Sequence, residues 1–232
     1  MTLSEAAADP GRGSRRRGPG SAASGGDNPP EPPRGRRAGR RKTAVLEAAC
    51  RVIAERGADA TRFADVAAES GVPVSTLQYY FGSREDLLVA AFRHASSEEI
   101  AALEAEVGAI DDPWDQLETI LTRSLTGYEP QAPDAGRLWI ESWHFGIRDP
   151  EMRADALRDN TAWRRLVADV VRRGIERGTF SGRYDADKVA VLAVAAADGM
   201  GIPLSLGDPD ITASGAVRDV LAALRELLRP GA

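Results

Sequence analysis

Residues 61–88 read TRFADVAAESGVPVSTLQYYFGSREDLL, and the fold turns on how this stretch is parsed. Two short runs of helical periodicity flank Gly71. Thr61 is placed to cap the first, which carries Phe63, Val66 and Ala67 on one face and ends near Ser70. The second runs from about Pro73 to Phe81. Ala67 supplies the small residue that two crossing helices need, and Gly71 the residue that tolerates positive φ in the turn. Leu77 anchors the second helix, with Val66, Val72 and Tyr80 completing an inner face. The outer face then carries Val74, Ser75, Gln78 and Tyr79, with Thr76 at its edge. A helix this short and exposed suits insertion into a major groove. Ser83, followed three residues later by Asp86, predicts a capping box that opens a long helix towards Val107.

Working outward, helical periodicity persists to both sides. Val45, Leu46, Ala49 and Ile53 mark a first helix that Gly57 ends. Asp112-Pro113 predicts an N-cap and N1 proline for a helix to about Gly127. Helices are predicted over 136–147, from Pro150 to about Arg177, over 187–202 and over 211–229. No β alternation stands out. The fold class is therefore all-α, with about nine helices.

The net charge of −5 hides a split. Residues 1–42 carry ten basic and four acidic side chains, and the remainder 20 and 31. Of the 30 basic residues only Lys42 and Lys188 are lysine. A basic end on an acidic body points to an anionic partner at the N-terminal end alone. Residues 1–42 also hold eight Gly and six Pro and almost no large apolar residues, so residues 1–35 are expected to be a disordered tail. The single cysteine, Cys50, excludes an intrachain disulfide and suits a reducing, cytoplasmic setting. The apolar runs look short of the ~18 residues of a membrane span, and the first residues lack the apolar core of a secretory signal, so no membrane partner is expected. With two histidines, no Gly-x-Ser-x-Gly and no paired-cysteine site, no catalytic residue, metal or cofactor is expected.

The run Gly71–Leu88 resembles the signature of the TetR family of transcriptional regulators, through Gly71, Val72, Thr76, Leu77, Tyr80, Phe81, Ser83, Glu85 and Leu87. The likeness extends upstream through EAACRVIAERGADATRFADVA and covers roughly residues 40–90. It implies a helix-turn-helix DNA-binding domain over 36–84 and a ligand-binding and dimerisation domain over 85–232. It also implies that Thr61 caps the second helix and touches a phosphate. Thr76, Tyr79 and Tyr80 fall at the family's DNA-contact positions, and Arg84 falls where a lysine usually grips the backbone. Tyr80 reads equally as a core residue with its hydroxyl at the surface. Two residues depart from the family pattern. Gln78 replaces a phosphate-contacting tyrosine and can bond phosphate or read adenine. Pro73 replaces the usual serine N-cap, which position N1 would explain. Arg36, Arg37, Arg40 and Arg41 form an arm before the first helix, suited to a narrow minor groove.

The segments 137–167 and 177–200 resemble the C-terminal domain of the choline-responsive repressors within that family. Trp139 and Trp143, one turn apart, share a face. With Phe92, Trp114, Leu117, Leu121 and Trp163 they either line a ligand pocket or form ordinary core, with His144 and Glu141 as polar groups. Val191, Val194, Ala195 and Met200, with Val217, Val220, Leu221 and Leu224, are the candidate dimer interface; the alternative is a buried helix of the monomer. The expected function is a homodimeric repressor of a palindromic double-stranded DNA operator, released by a small-molecule effector. The alternatives are an activator or a ligand-independent architectural DNA protein.

Overall fold

A computed structural model describes residues 34–129 and 135–230, with nine α-helices and no strand among them. The helices are α1 (Arg34–Arg56), α2 (Phe63–Ser70), α3 (Val74–Phe81), α4 (Arg84–Gly108), α5 (Pro113–Thr126), α6 (Ala135–Arg148), α7 (Pro150–Glu176), α8 (Ala186–Ser205) and α9 (Ala213–Leu228). Their starts follow local chemistry. Ser83 Oγ accepts from the Asp86 amide at 3.0 Å, and the Asp86 carboxylate accepts from the Ser83 hydroxyl at 2.6 Å. Asp112, Asp149 and Asp185 cap α5, α7 and α8 in the same way, each with a carboxylate on the first free amides. Gly71 adopts φ +67°, and a side chain there would meet nothing within 4 Å. Its requirement is conformational, not steric.

Two hydrophobic cores organise the chain. One joins α1–α4 through Val45, Ile53, Val66, Leu77, Leu87 and Phe92 and takes in Leu138 of α6 and Met152 of α7. The other packs α5, α7, α8 and α9 against the far end of α4. The expected boundary at 84/85 thus falls at the head of α4, and packing crosses it. Arg93 of α4 donates to the buried Asp155 of α7 at 2.5 Å, close to the seam.

Several sequence expectations are corrected here. Helix α1 begins at Arg34, so Arg34 and Gly35 are not tail, and Arg36, Arg37, Arg40 and Arg41 belong to a helix and not to an extended arm. The proline-free run RGRRAGRRK favours this, since Arg and Ala are strong helix formers. Arg40 and Arg41 are exposed, and Lys42 Nζ sits 5.3 Å from the Phe81 ring centroid. The rest of the expected tail, 1–33, lies outside the described residues. Arg62, not Thr61, is the N-cap of α2; its amide donates to Asp65 at 3.0 Å. Thr61 is fully buried and donates its hydroxyl to the Gly57 carbonyl at 2.9 Å, which removes it from any phosphate. Pro73 is the N-cap of α3 and not its N1 residue: its carbonyl accepts from Thr76 and Leu77, while its ring has no side-chain oxygen to cap with.

The structure also reassigns Arg84. Its Nε donates to the Thr61 carbonyl at 2.6 Å, one terminal nitrogen donates to the Ala58 carbonyl, and the other meets Glu85 at 3.1 Å. The guanidinium therefore staples the head of α4 to the turn between α1 and α2, with each of its three nitrogens engaged by protein.

Helix α8 has 20 residues and contains an 18-residue window of mean hydropathy 1.4, which meets the length and composition of a membrane span. That corrects the expectation that every apolar run falls short. One of its faces, with Val189, Ala190, Ala193, Ala197 and Leu204, is packed into the second core. Val191 and Ala195 are exposed, Met200 is half-buried, and Val194 turns towards the interior. On α9, Val217, Val220, Leu221 and Leu224 are all buried in the subunit's own core and are not available to a partner. The apolar periodicity of α9 is used up by packing within the subunit.

Replacing Arg84 with alanine would leave two backbone carbonyls without their charged donors. It should destabilise the protein by ~1–3 kcal/mol in chemical denaturation. An unchanged denaturation midpoint would contradict the staple.

Candidate functional site

Two sites stand out, one at each end of α4. At the first, α3 is held by Leu77 and Phe81, both buried, and turns its other side to solvent. Tyr79 is 86% exposed, an unusual state for an aromatic side chain, and Val74, Ser75 and Gln78 are exposed beside it. Thr76 and Tyr80 are half-buried at the edges. Tyr80 leans on Phe81 with ring centroids 6.1 Å apart, and Tyr79 on Tyr80 at 6.0 Å. The predicted outer face of the helix is thus the face the structure leaves open, with Arg40 and Arg41 of α1 and Arg62 at the start of α2 also exposed.

At the second site, α4, α5, α6, α7 and α8 enclose a cavity of about 50 Å3. One water needs roughly 10–15 Å3, so the space suits a compact ligand. Leu121, Trp139 and Trp163 line it as predicted. So do Glu99, Tyr128, Val194 and Asp198, none of which the sequence reading placed in a pocket. Tyr128 reaches its place because Gly136 and Gly201 flank it. A Cβ on Gly201 would come within 2.7 Å of its ring, and one on Gly136 within 2.8 Å.

The remaining predicted pocket residues lie elsewhere. Phe92 borders an adjoining space between α4, α6 and α7. Leu117 is fully enclosed core and does not border the cavity. Trp114 packs edge-on against Phe180 at 4.7 Å, with the Arg225 guanidinium over its other side at 4.7 Å. Trp143 supports Trp139 from behind, ring centroids 5.6 Å apart, without reaching the cavity. His144 is exposed and sits 2.9 Å from the Arg148 guanidinium. Glu141 faces away from the pocket and accepts the Ala58 amide at 2.8 Å.

The electrostatics of the cavity are one-sided. Burial pushes the Asp198 carboxyl up to about 6, partly offset by the Trp139 indole N–H that donates to it. Burial also raises Glu99, against the pull of Arg123. Tyr128 is raised by burial and by the two carboxyls beside it. Among the described residues, no Lys or Arg borders the cavity. Carboxylates and aromatic faces without a competing base favour an organic cation, through charge and through the ring quadrupole.

Comparison with known proteins covers both halves of the chain. Residues 45–91 match the family described as "Bacterial regulatory proteins, tetR family", and residues 113–229 match "BetI-type transcriptional repressor, C-terminal". A transcriptional regulator BetI from Burkholderia lata is 27% identical over 114 residues, which span 49% of this chain and 58% of that protein. One of the same name from Rhizobium meliloti is 27% identical over 177 residues, or 76% and 84% of the two chains. A transcriptional regulator from Saccharomonospora viridis, solved in complex with choline, superposes with a TM-score of 0.73 at 27% identity, covering 81% of this chain and 96% of that one. Reduced NemR from E. coli shares the fold alone, with a TM-score of 0.72 at 14% identity. These relatives are regulators of transcription and not enzymes. By the match of both its parts, the chain belongs to the TetR family of DNA-binding transcriptional regulators and carries a BetI-type C-terminal domain.

Proposed function

We propose that this protein is a cytoplasmic homodimeric repressor. It holds a palindromic operator through α3 and lets go when a small organic cation of the choline type enters the cavity. The observation that carries this reading is the pairing of an exposed reading helix with an acid-lined aromatic cavity through shared helices. Helix α4 bears Arg84 at the head and Glu99 at the cavity; α6 bears Glu141 at the head and Trp139 at the cavity. The choline complex of the Saccharomonospora relative supports the ligand class. A cation that binds one arrangement of these helices better than the other shifts their equilibrium, and with it the spacing of the two heads. That spacing must match one turn of DNA, ~34–36 Å, for both recognition helices to engage.

DNA contact is assigned to Val74, Ser75, Thr76, Gln78, Tyr79 and Tyr80, with Arg40, Arg41 and Arg62 on the backbone. The dimer contact is assigned to α8. Its exposed residues Val191, Ala195, Gly199 and Ile202, with Leu206 just past its end, recur at spacings of four, four, three and four, flanked by Leu192 and Ala196. That is the pattern of a helix-pairing seam with small residues that let two copies approach closely.

Three outcomes are expected. The double variant Gln78→Ala with Tyr79→Ala should bind an operator selected from random DNA at least about tenfold more weakly, a loss of ~1.4 kcal/mol. Its unfolding midpoint should not move, since both side chains are exposed. Wild-type affinity in fluorescence anisotropy would remove α3 from the interface. Leu192→Glu with Ile202→Glu should convert a dimer into a monomer in sedimentation velocity, and a persisting dimer would place the interface elsewhere. Choline affinity, measured by calorimetry, should rise as pH increases through about 6 and then level off. Below that pH Asp198 is protonated and offers no charge, so each unit of acidification weakens binding by up to about tenfold. Asp198→Asn should flatten this profile, and a flat wild-type profile would exclude Asp198 from the site.

A further inference from the structure

The cavity does not end at its two tryptophans. A second space of about 220 Å3 lies beside it, and Glu99, Ala135, Trp139 and Trp163 border both. The walls of this second lobe are apolar where Phe92, Ala95 and Leu138 form them. It also has an acid of its own, Asp159 of α7, with the buried Ser96 hydroxyl nearby. Burial holds the Asp159 carboxyl above its ordinary range, against Ser96, Arg158 and Arg93, which lower it. Arg93 and Arg158 are themselves held by Asp155, and Arg93 also by Glu151. No Lys or Arg among the described residues borders either lobe.

Helix geometry sets the length of the combined space. Asp159, Trp163 and Val167 are successive residues of one face of α7, and all three line it. Eight residues at the helical rise make a floor of ~12 Å. On α4, Phe92, Ser96 and Glu99 trace a parallel wall of ~10 Å. A single trimethylammonium group could pair with the acid of one lobe alone and would leave the carboxylate of the other unmatched.

We propose that the two lobes form one elongated site for a linear dication, with one charged end beside Asp198, an aliphatic chain passing Trp139 and Trp163 near Glu99, and the other charged end at Asp159. This deepens the cation-sensor reading and rests on it. Quaternary bis-ammonium compounds and linear polyamines share this chemistry.

The test is calorimetry on the full chain with four probes: choline, an alkyltrimethylammonium, a bis-trimethylammonium alkane of the same chain length, and a linear diamine of that length with a primary amine at each end. A dication should bind wild type at least about tenfold more tightly than the alkyl monocation, equivalent to ~1.4 kcal/mol. Asp159→Asn should remove that gain while choline binding stays within about twofold, which also shows that the variant is folded. Whichever dication carries the gain identifies the amine class. Equal binding of mono- and dication to wild type overturns the elongated site and leaves the choline reading standing. So does an Asp159→Asn variant that keeps the dication gain or loses choline binding equally. If no cation binds wild type at all, both readings fall together.

Discussion

The contact on which the two halves depend is made to one residue without a functional group. Ala58 sits in the turn between α1 and α2; its amide is taken by Glu141 of α6 and its carbonyl by Arg84 of α4. Three residues on, the Thr61 carbonyl takes a second donor from the same arginine, and the Thr61 hydroxyl closes back on Gly57. Backbone groups buried this way must be paired, and here the partners come from two of the five helices that line the cavity. A shift of α4 or α6 cannot leave the turn untouched without breaking charge-assisted bonds. The head is thereby coupled to the body by hydrogen-bond geometry, and continuous packing through Leu138 and Met152 reinforces the link.

What the sequence revealed follows from the range of the forces involved. Helix starts at Ser83, Asp112 and Pro150 were legible because a cap is settled within three or four residues. The open face of α3 was legible because Leu77 and Phe81 can only point inward when Gly71 turns the chain. The errors share a cause of the opposite kind. Thr61 and Arg84 have the residue types of phosphate ligands, and their roles were decided by each other across 23 residues of chain. The apolar face of α9 was read as dimer surface because periodicity reports that a face is buried and not against what. α5 of the same subunit buries it.

The cavity shows the same limit. The aromatic stripe suggested a pocket, yet Trp114 and Trp143 belong to packing while the acids that give the pocket its character went unnoticed. One signal was available. Asp198 interrupts the apolar run VLAVAAADGM, and a lone carboxylate in an otherwise buried stretch needs a partner or a purpose. Glu99 carried no such signal, since it lies in a segment, SSEEI, that reads as solvent-facing. Only the packing of α6 and α7 against α4 turns it inward.

Those acids carry a thermodynamic consequence. Holding Asp198 ionised at neutral pH works against the burial that raises its carboxyl to about 6. Glu99 adds to that in the same direction. A cation in the cavity relieves this penalty, whereas an uncharged ligand of equal size does not. The buried acid beside Trp139 therefore touches the same helix whose Glu141 holds Ala58, so charge in the cavity and the turn of the head meet on one element.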